Sequence, residues 1–113
     1  MSGTGTATVV GPLAEIPVGE GRAYAVGSDQ VAVFRLRDDS VRALSAVCPH
    51  RGGPMADGQL DSTVVICPLH LHAFDLVTGC STTGAPPVTA YRAFVDEAGM
   101  VAVEPEGVRP DRP

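Results

Sequence analysis

Apolar and polar positions alternate with a period of two along most of the chain, the spacing of strands that bury one face. Arg22-Ala23-Tyr24-Ala25-Val26 reads as a strand, and Gly27-Ser28-Asp29 turns it into a second over residues 30–37. In that second strand Val31, Val33 and Arg35 point one way, and Ala32, Phe34 and Leu36 point the other. Asp38-Asp39-Ser40 has the composition of a hairpin turn, because short Asp and Ser side chains bond the backbone just ahead of them. It leads into a third strand over residues 41–47. Residues 63–67, Thr-Val-Val-Ile-Cys, are short, β-branched and apolar, which predicts a buried strand rather than a helix. Two late runs, 90–95 and 100–104, bracket the turn Asp96-Glu97-Ala98-Gly99 and predict a closing hairpin. One helical turn is expected around Pro12-Leu13-Ala14-Glu15, stopped by Pro17. Short strands separated by regular turn signals define an all-β chain, a small antiparallel β-sandwich or barrel.

Composition narrows this further. The chain has 113 residues, enough for one domain, and 44% are hydrophobic, yet it has no Trp, two Tyr and three Phe. Its core must therefore be built from Val, Ala, Leu and Ile. Thirteen Gly and ten Pro argue against a helical bundle. Thirteen acidic residues face eight basic ones, all Arg, for a net charge of −5. That balance excludes a general nucleic-acid binder, which needs a basic face. No apolar run approaches the roughly 20 residues that span a bilayer. The start, Met1 to Thr8, lacks the basic-then-apolar pattern of a signal peptide, so the expected location is cytoplasmic, away from membranes. The polar or proline-rich ends, 1–5 and 106–113, are expected to be flexible tails around a domain over 6–105. Three Cys, an odd number, suit a disulfide framework poorly and a metal site better.

The candidate chemistry lies in two segments, Cys48-Pro49-His50 and Cys67-Pro68-Leu69-His70, with 16 residues between His50 and Cys67. Each places a Cys and a His in a Pro- or Gly-rich loop just after a strand. Thiolate sulfur and imidazole nitrogen are both good donors to iron and zinc. For a single tetrahedral zinc the Cys-x-His pair is cramped, since paired zinc ligands usually stand two to four residues apart. A binuclear centre relieves this: if Cys48 and Cys67 bind one iron and His50 and His70 the other, the ligands of one loop need not converge on one atom. A structural zinc site remains the alternative, decided by metal analysis.

These residues also carry a family resemblance. The pattern Cys-x-His, 16 residues, Cys-x-x-His resembles the ligand signature of Rieske [2Fe–2S] proteins. Cys48-Pro49-His50-Arg51-Gly52-Gly53-Pro54-Met55, then Phe74-Asp75-Leu76 and Thr78-Gly79, extend the likeness, which runs from about Leu13 to Val103. Arg51-Gly52-Gly53-Pro54 and Cys67-Pro68-Leu69-His70 are similar to the small subunit of NAD(P)H-dependent assimilatory nitrite reductases, as are Ile16 to Gly21 and Val31 to Leu36. The resemblance implies a Rieske-like fold with a cluster-binding subdomain and one [2Fe–2S] cluster held by Cys48, His50, Cys67 and His70. High-potential relatives bridge the two loops with an additional Cys pair; Gly53 and Leu69 stand at those positions, so no bridge is expected. Cys80 is expected to be a free, reduced thiol. His72 has two readings, a tuning or proton-relaying group or a partly exposed residue without a role. It stands with Leu71 where relatives usually have Gly or Asn followed by an aromatic. Gly84-Ala85-Pro86-Pro87 resembles the proline-rich loop that shields the cluster, or is a simple turn. Arg51 either docks an anionic partner or is simply solvated.

The resemblance also implies a mechanism. With two thiolates, a core of about +2 is near neutral when oxidised and about −1 when reduced, so it accepts an electron more readily than a four-Cys cluster. Rieske centres span roughly −150 to +300 mV. High-potential relatives donate hydrogen bonds to the cluster sulfurs from a Ser and a Tyr at positions matching His72 and Phe74. Phe74 has no hydroxyl, which places the expected potential low in that range. The chain shows no nucleophilic triad, phosphate loop or dinucleotide fingerprint. The expected role is therefore an electron-transfer subunit with no catalytic residues of its own. By resemblance it works with a large reductase subunit carrying flavin and siroheme, reducing nitrite to ammonium with NAD(P)H. The alternative is a Rieske ferredoxin passing electrons from a flavin reductase to an aromatic-ring dioxygenase or related oxygenase.

Overall fold

The architecture follows from a strand buried on both faces. In the computed structural model, which describes residues 7–27, 29–46, 55–61, 63–67, 72–83 and 88–104, the central hairpin partner β3 (Asp29–Arg35) lies between β2 (Gly21–Val26) and β4 (Val41–Ser45). Val31, Ala32, Val33 and Phe34 in β3 are all fully buried. Alternation still governs them, but each face meets its own core. Val31 and Val33 join Val41 and Ala43 on one side, while Ala32 and Phe34 join Leu44 on the other. The opposed side-chain sets in residues 31–36 anticipated by the sequence are thus both occupied by packing.

The Val31 face packs against an antiparallel sheet of β1 (Thr8–Pro12), β10 (Met100–Val103) and β9 (Ala93–Val95), in the order β1-β10-β9. Val101, Val103 and Ile16 fill the space between the two sheets. Arg35 ends this face: its Nη1 donates to the carbonyl of Ile16 at 3.0 Å, and its Nη2 pairs with Asp39 at 2.9 Å. The Phe34 face packs against a smaller sheet of β5 (Gln59–Asp61), β6 (Val64–Ile66) and β7 (Ala73–Asp75), through Val65, Phe74 and Leu76. The chain is therefore three sheets deep, with the β2-β3-β4 sheet in the middle. The described residues form an open antiparallel sandwich with an added small sheet, and no closed barrel.

Several expected elements have altered limits. The run 90–95 splits at Arg92: β8 (Ala90–Tyr91) pairs with β4 in the middle sheet, and β9 pairs with β10 in the outer one. Each half satisfies a different sheet, so the run is a corner as well as half of a hairpin. Strand β1 was not anticipated, because Val9 and Val10 alone interrupt a stretch of small and polar residues; its backbone pairs with β10 across a register shift between Val9 and Gly11. The helical turn near Pro12 is present as a 3₁₀ turn over Leu13–Glu15, and the Asp38–Ser40 turn closes with Leu36 N–H donating to the Ser40 carbonyl at 2.8 Å. Among the described residues no helix is long and apolar enough to cross a membrane. The tails expected at 1–5 and 106–113 lie outside the described residues.

Candidate metal centre

Two loop frames open from one apolar cluster. At the end of β6 the side chain of Cys67 is 0% exposed, and its thiol is in no disulfide. Its backbone N–H donates to the His72 carbonyl at 2.8 Å, extending the β6–β7 ladder by one rung between the described residues on either side of 68–71. The second frame follows β4. Ala46 N–H donates to the Gln30 carbonyl at 2.9 Å, and Met55 N–H donates to the Ala46 carbonyl at 2.9 Å, which brings together the described residues on either side of 47–54. Ala46, Met55 and Cys67 belong to one buried cluster with Val65, Phe74 and Val88.

Local backbone chemistry holds these frames together. After the buried Met55, the 3₁₀ turn Met55–Asp57 brings Gly58 against β6. A Cβ at Gly58 would stand 2.6 Å from the Ile66 carbonyl oxygen and 3.0 Å from that of Met55. Only glycine allows this approach, which ties the exit of the first loop to the strand leading into Cys67. Beyond β7, Asp75 Oδ1 accepts the N–H groups of Val77 and Thr78 at 2.8 and 2.9 Å, which holds its carboxyl below the usual carboxylate range. The chain then returns beside β7, with Asp75 N–H donating to Cys80 O and Thr82 N–H to Ala73 O.

Of the four expected ligands, Cys67 lies within the described residues, and Cys48, His50 and His70 lie outside them. The same holds for Arg51, Gly53, Leu69 and Gly84-Ala85-Pro86-Pro87. Among the described residues no group of three or more His, Cys, Asp or Glu side chains gathers as a metal site. Phe74 is fully buried in the cluster beneath Cys67, with no hydroxyl to offer. Cys80 is a free, exposed thiol. His72 is half-buried, and its Nδ1 lies 2.8 Å from Thr83 Oγ1, a partner that no local pattern signals because it stands 11 residues away.

An all-β chain whose sequence carries Cys48, His50, Cys67 and His70 at iron-ligand spacing fits the class of iron–sulfur proteins. The Rieske [2Fe–2S] domain family matches residues 6–97, and the chain belongs to that family. A domain of this kind carries one [2Fe–2S] cluster. The one expected donor among the described residues fits such a group: Cys67 is a buried thiol in no disulfide, packed in an apolar cluster. The chain is 33% identical over 67 residues to the ferredoxin component of a naphthalene 1,2-dioxygenase system of Pseudomonas aeruginosa, covering 59% of this chain and 64% of that protein. Over 78 residues it is 36% identical to ferredoxin CarAc of Metapseudomonas resinovorans, covering 67% of this chain and 72% of that one. Among solved structures, the ferredoxin of carbazole 1,9a-dioxygenase from Nocardioides aromaticivorans IC177 superposes with a TM-score of 0.81 at 34% identity, over 89% of this chain and 99% of that chain. The small subunit assigned to an NADH-dependent nitrite reductase of Mycobacterium tuberculosis also superposes at 0.81, with 28% identity over 87% of this chain and 93% of that one. The protein is a Rieske-type [2Fe–2S] electron-transfer protein.

Proposed function

We propose that this protein is the ferredoxin of an oxygenase system, accepting single electrons from a flavin reductase and delivering them to a terminal oxygenase. The observation that carries this reading is the 34% identity to a carbazole dioxygenase ferredoxin over 99% of that chain, at a TM-score of 0.81. The curated relatives point the same way, since those at 33 and 36% identity are ferredoxins as well. A second reading, the small subunit of a nitrite reductase, is favoured by Arg51-Gly52-Gly53-Pro54 and Cys67-Pro68-Leu69-His70, and by the 28% identity to the mycobacterial structure.

Within either system Cys48 and Cys67 would hold one iron, and His50 and His70 the other. When bound, the cluster supplies one-electron transfer with no open coordination position for a substrate. The chain's own residues do the rest. Cys67 would bind as a thiolate, and thiolate ligation makes cluster loading release protons and weaken in acid. Val65, Phe74 and Val88 pack in one buried apolar cluster with Cys67, and Phe74 has no hydroxyl to donate the hydrogen bond that would raise the potential.

The test is reconstitution. The purified holoprotein is mixed with a flavin reductase, NADH and the terminal oxygenase of a carbazole dioxygenase, and in parallel with a siroheme nitrite reductase large subunit, NADH and nitrite. Hydroxylated product in the first mixture supports the oxygenase reading. Ammonium in the second, with none of that product, replaces it with the nitrite reductase reading.

A further inference from the structure

The clearest side-chain network outside the expected ligands is at the exit of the second ligand loop. Thr83 Oγ1 lies 2.8 Å from His72 Nδ1 and 3.1 Å from Ser81 Oγ, and accepts the Ala73 N–H at 3.2 Å. A hydroxyl has one hydrogen and two lone pairs, so these three partners use its full capacity. Thr83 N–H in turn donates to Ser81 Oγ at 3.0 Å, which fixes the hydroxyl's own backbone. One atom thus binds two successive residues, His72 and Ala73, through side chain and backbone. The carbonyl of that same His72 accepts the Cys67 N–H at 2.8 Å. A continuous chain of short contacts therefore runs from Thr83 to the backbone of an expected ligand.

We propose that Thr83 is a positioning residue for the second ligand loop: its hydroxyl holds the loop's exit at His72 and Ala73 in the register that the bound cluster requires. This rests on the reading of Cys67 and His70 as ligands. Hydrogen bonds around a cluster and the orientation of its ligands set its potential and spectrum, so a hydroxyl that holds the backbone at His72 and Ala73 would act on both through the neighbouring ligands. Thr83→Val removes the hydroxyl at nearly constant shape, and Thr83→Ser retains it.

The experiment uses the iron-loaded full chain, comparing both variants with the unaltered protein by electron paramagnetic resonance after dithionite reduction, by redox titration, and by amide hydrogen exchange. Thr83→Val should broaden and shift the resonance, displace the potential, and speed exchange of the Ala73 amide about tenfold, the order of one net hydrogen bond. Amides of β3 should stay protected, and Thr83→Ser should restore all three readouts. If Thr83→Val takes up no iron while Thr83→Ser does, with β3 protected in both, the proposal equally stands. An unchanged spectrum and potential in Thr83→Val overturns it, whatever happens to the Ala73 amide, and so does equal loss of iron in both variants. Failure of the ligand reading shows separately, as the absence of a mixed nitrogen–sulfur signal in the unaltered protein.

Discussion

Tyr91 shows how far one side chain reaches across this fold. Its hydroxyl donates to Asp29 Oδ2 at 3.1 Å, joining β8 to the start of β3. Burial, and then this bond to a carboxylate, push its pKa up from 10.0 to about 12. In the unfolded chain the phenol ionises near its ordinary value, while in the folded chain it keeps its proton until about pH 12. Its contribution is therefore intact below pH 10 and fades as pH rises from about 10 to about 12. Denaturant titrations at stepped alkaline pH should show that decline, and Tyr91→Phe should flatten it. Tyr24 is shifted in the same direction, chiefly by desolvation, so a residual slope from that phenol should persist in the variant. At the expected ligands the relevant charge is the cluster's own. Replacing the neutral imidazole of His70 by a thiolate, in His70→Cys, makes both redox states one unit more negative. Any cluster that assembles should then titrate at a lower potential, and a rise would contradict the charge argument.

Among the elements, the turn after β7 is the most constrained. Gly79 has φ +79°, and a Cβ there would lie 2.1 Å from the Val88 carbonyl oxygen. Its N–H donates to the Asp75 carbonyl, and its carbonyl accepts the Val88 N–H, both at 2.9 Å. Gly79→Ala meets left-handed strain and a backbone clash together, so it should destabilise by at least about 1–3 kcal/mol in equilibrium unfolding. Sequence pattern exposed some of this architecture and concealed the rest for physical reasons. The alternation in residues 31–36 was legible because side-chain direction in a strand is fixed by parity, and both faces turned out to be buried. Strands β5 and β7 have three residues each, too few for a period to register. The split at Arg92 was invisible because either half of 90–95 is a good strand; which sheet each half joins depends on distant partners. The site was legible in part. Cys and His spacing pointed to residues 48–50 and 67–70, of which Cys67 lies among the described residues, but the Thr83 contact to His72 and Ala73 arises only when the return chain folds beside β7.

At the scale of the whole molecule, two cores lie on either side of the middle sheet, and Cys67 belongs to only one of them. Val31, Val33, Val101 and Val103 fill the outer core with no expected ligand among them. The inner core contains Cys67 itself and depends on the three-residue strands β6 and β7 to complete it. A bound metal adds its binding free energy to whatever structure its ligands hold, and the one expected ligand among the described residues, Cys67, belongs to the inner core. The small sheet has few backbone bonds of its own, so without iron its free energy of local opening should fall well below that of the sandwich. Removing the cluster with a chelator under reducing conditions should thus raise exchange at the Cys67, Ala73 and Leu76 amides. The β2–β3 and β1–β10 ladders should keep most of their protection. Uniform loss of protection across all three sheets would mean that the cluster stabilises the entire fold. Equal protection before and after chelation would mean that the inner core stands unaided and the cluster is a passenger in a preformed site. The expected pattern lies between these, with an outer sandwich that folds without metal and a small sheet whose order depends on it.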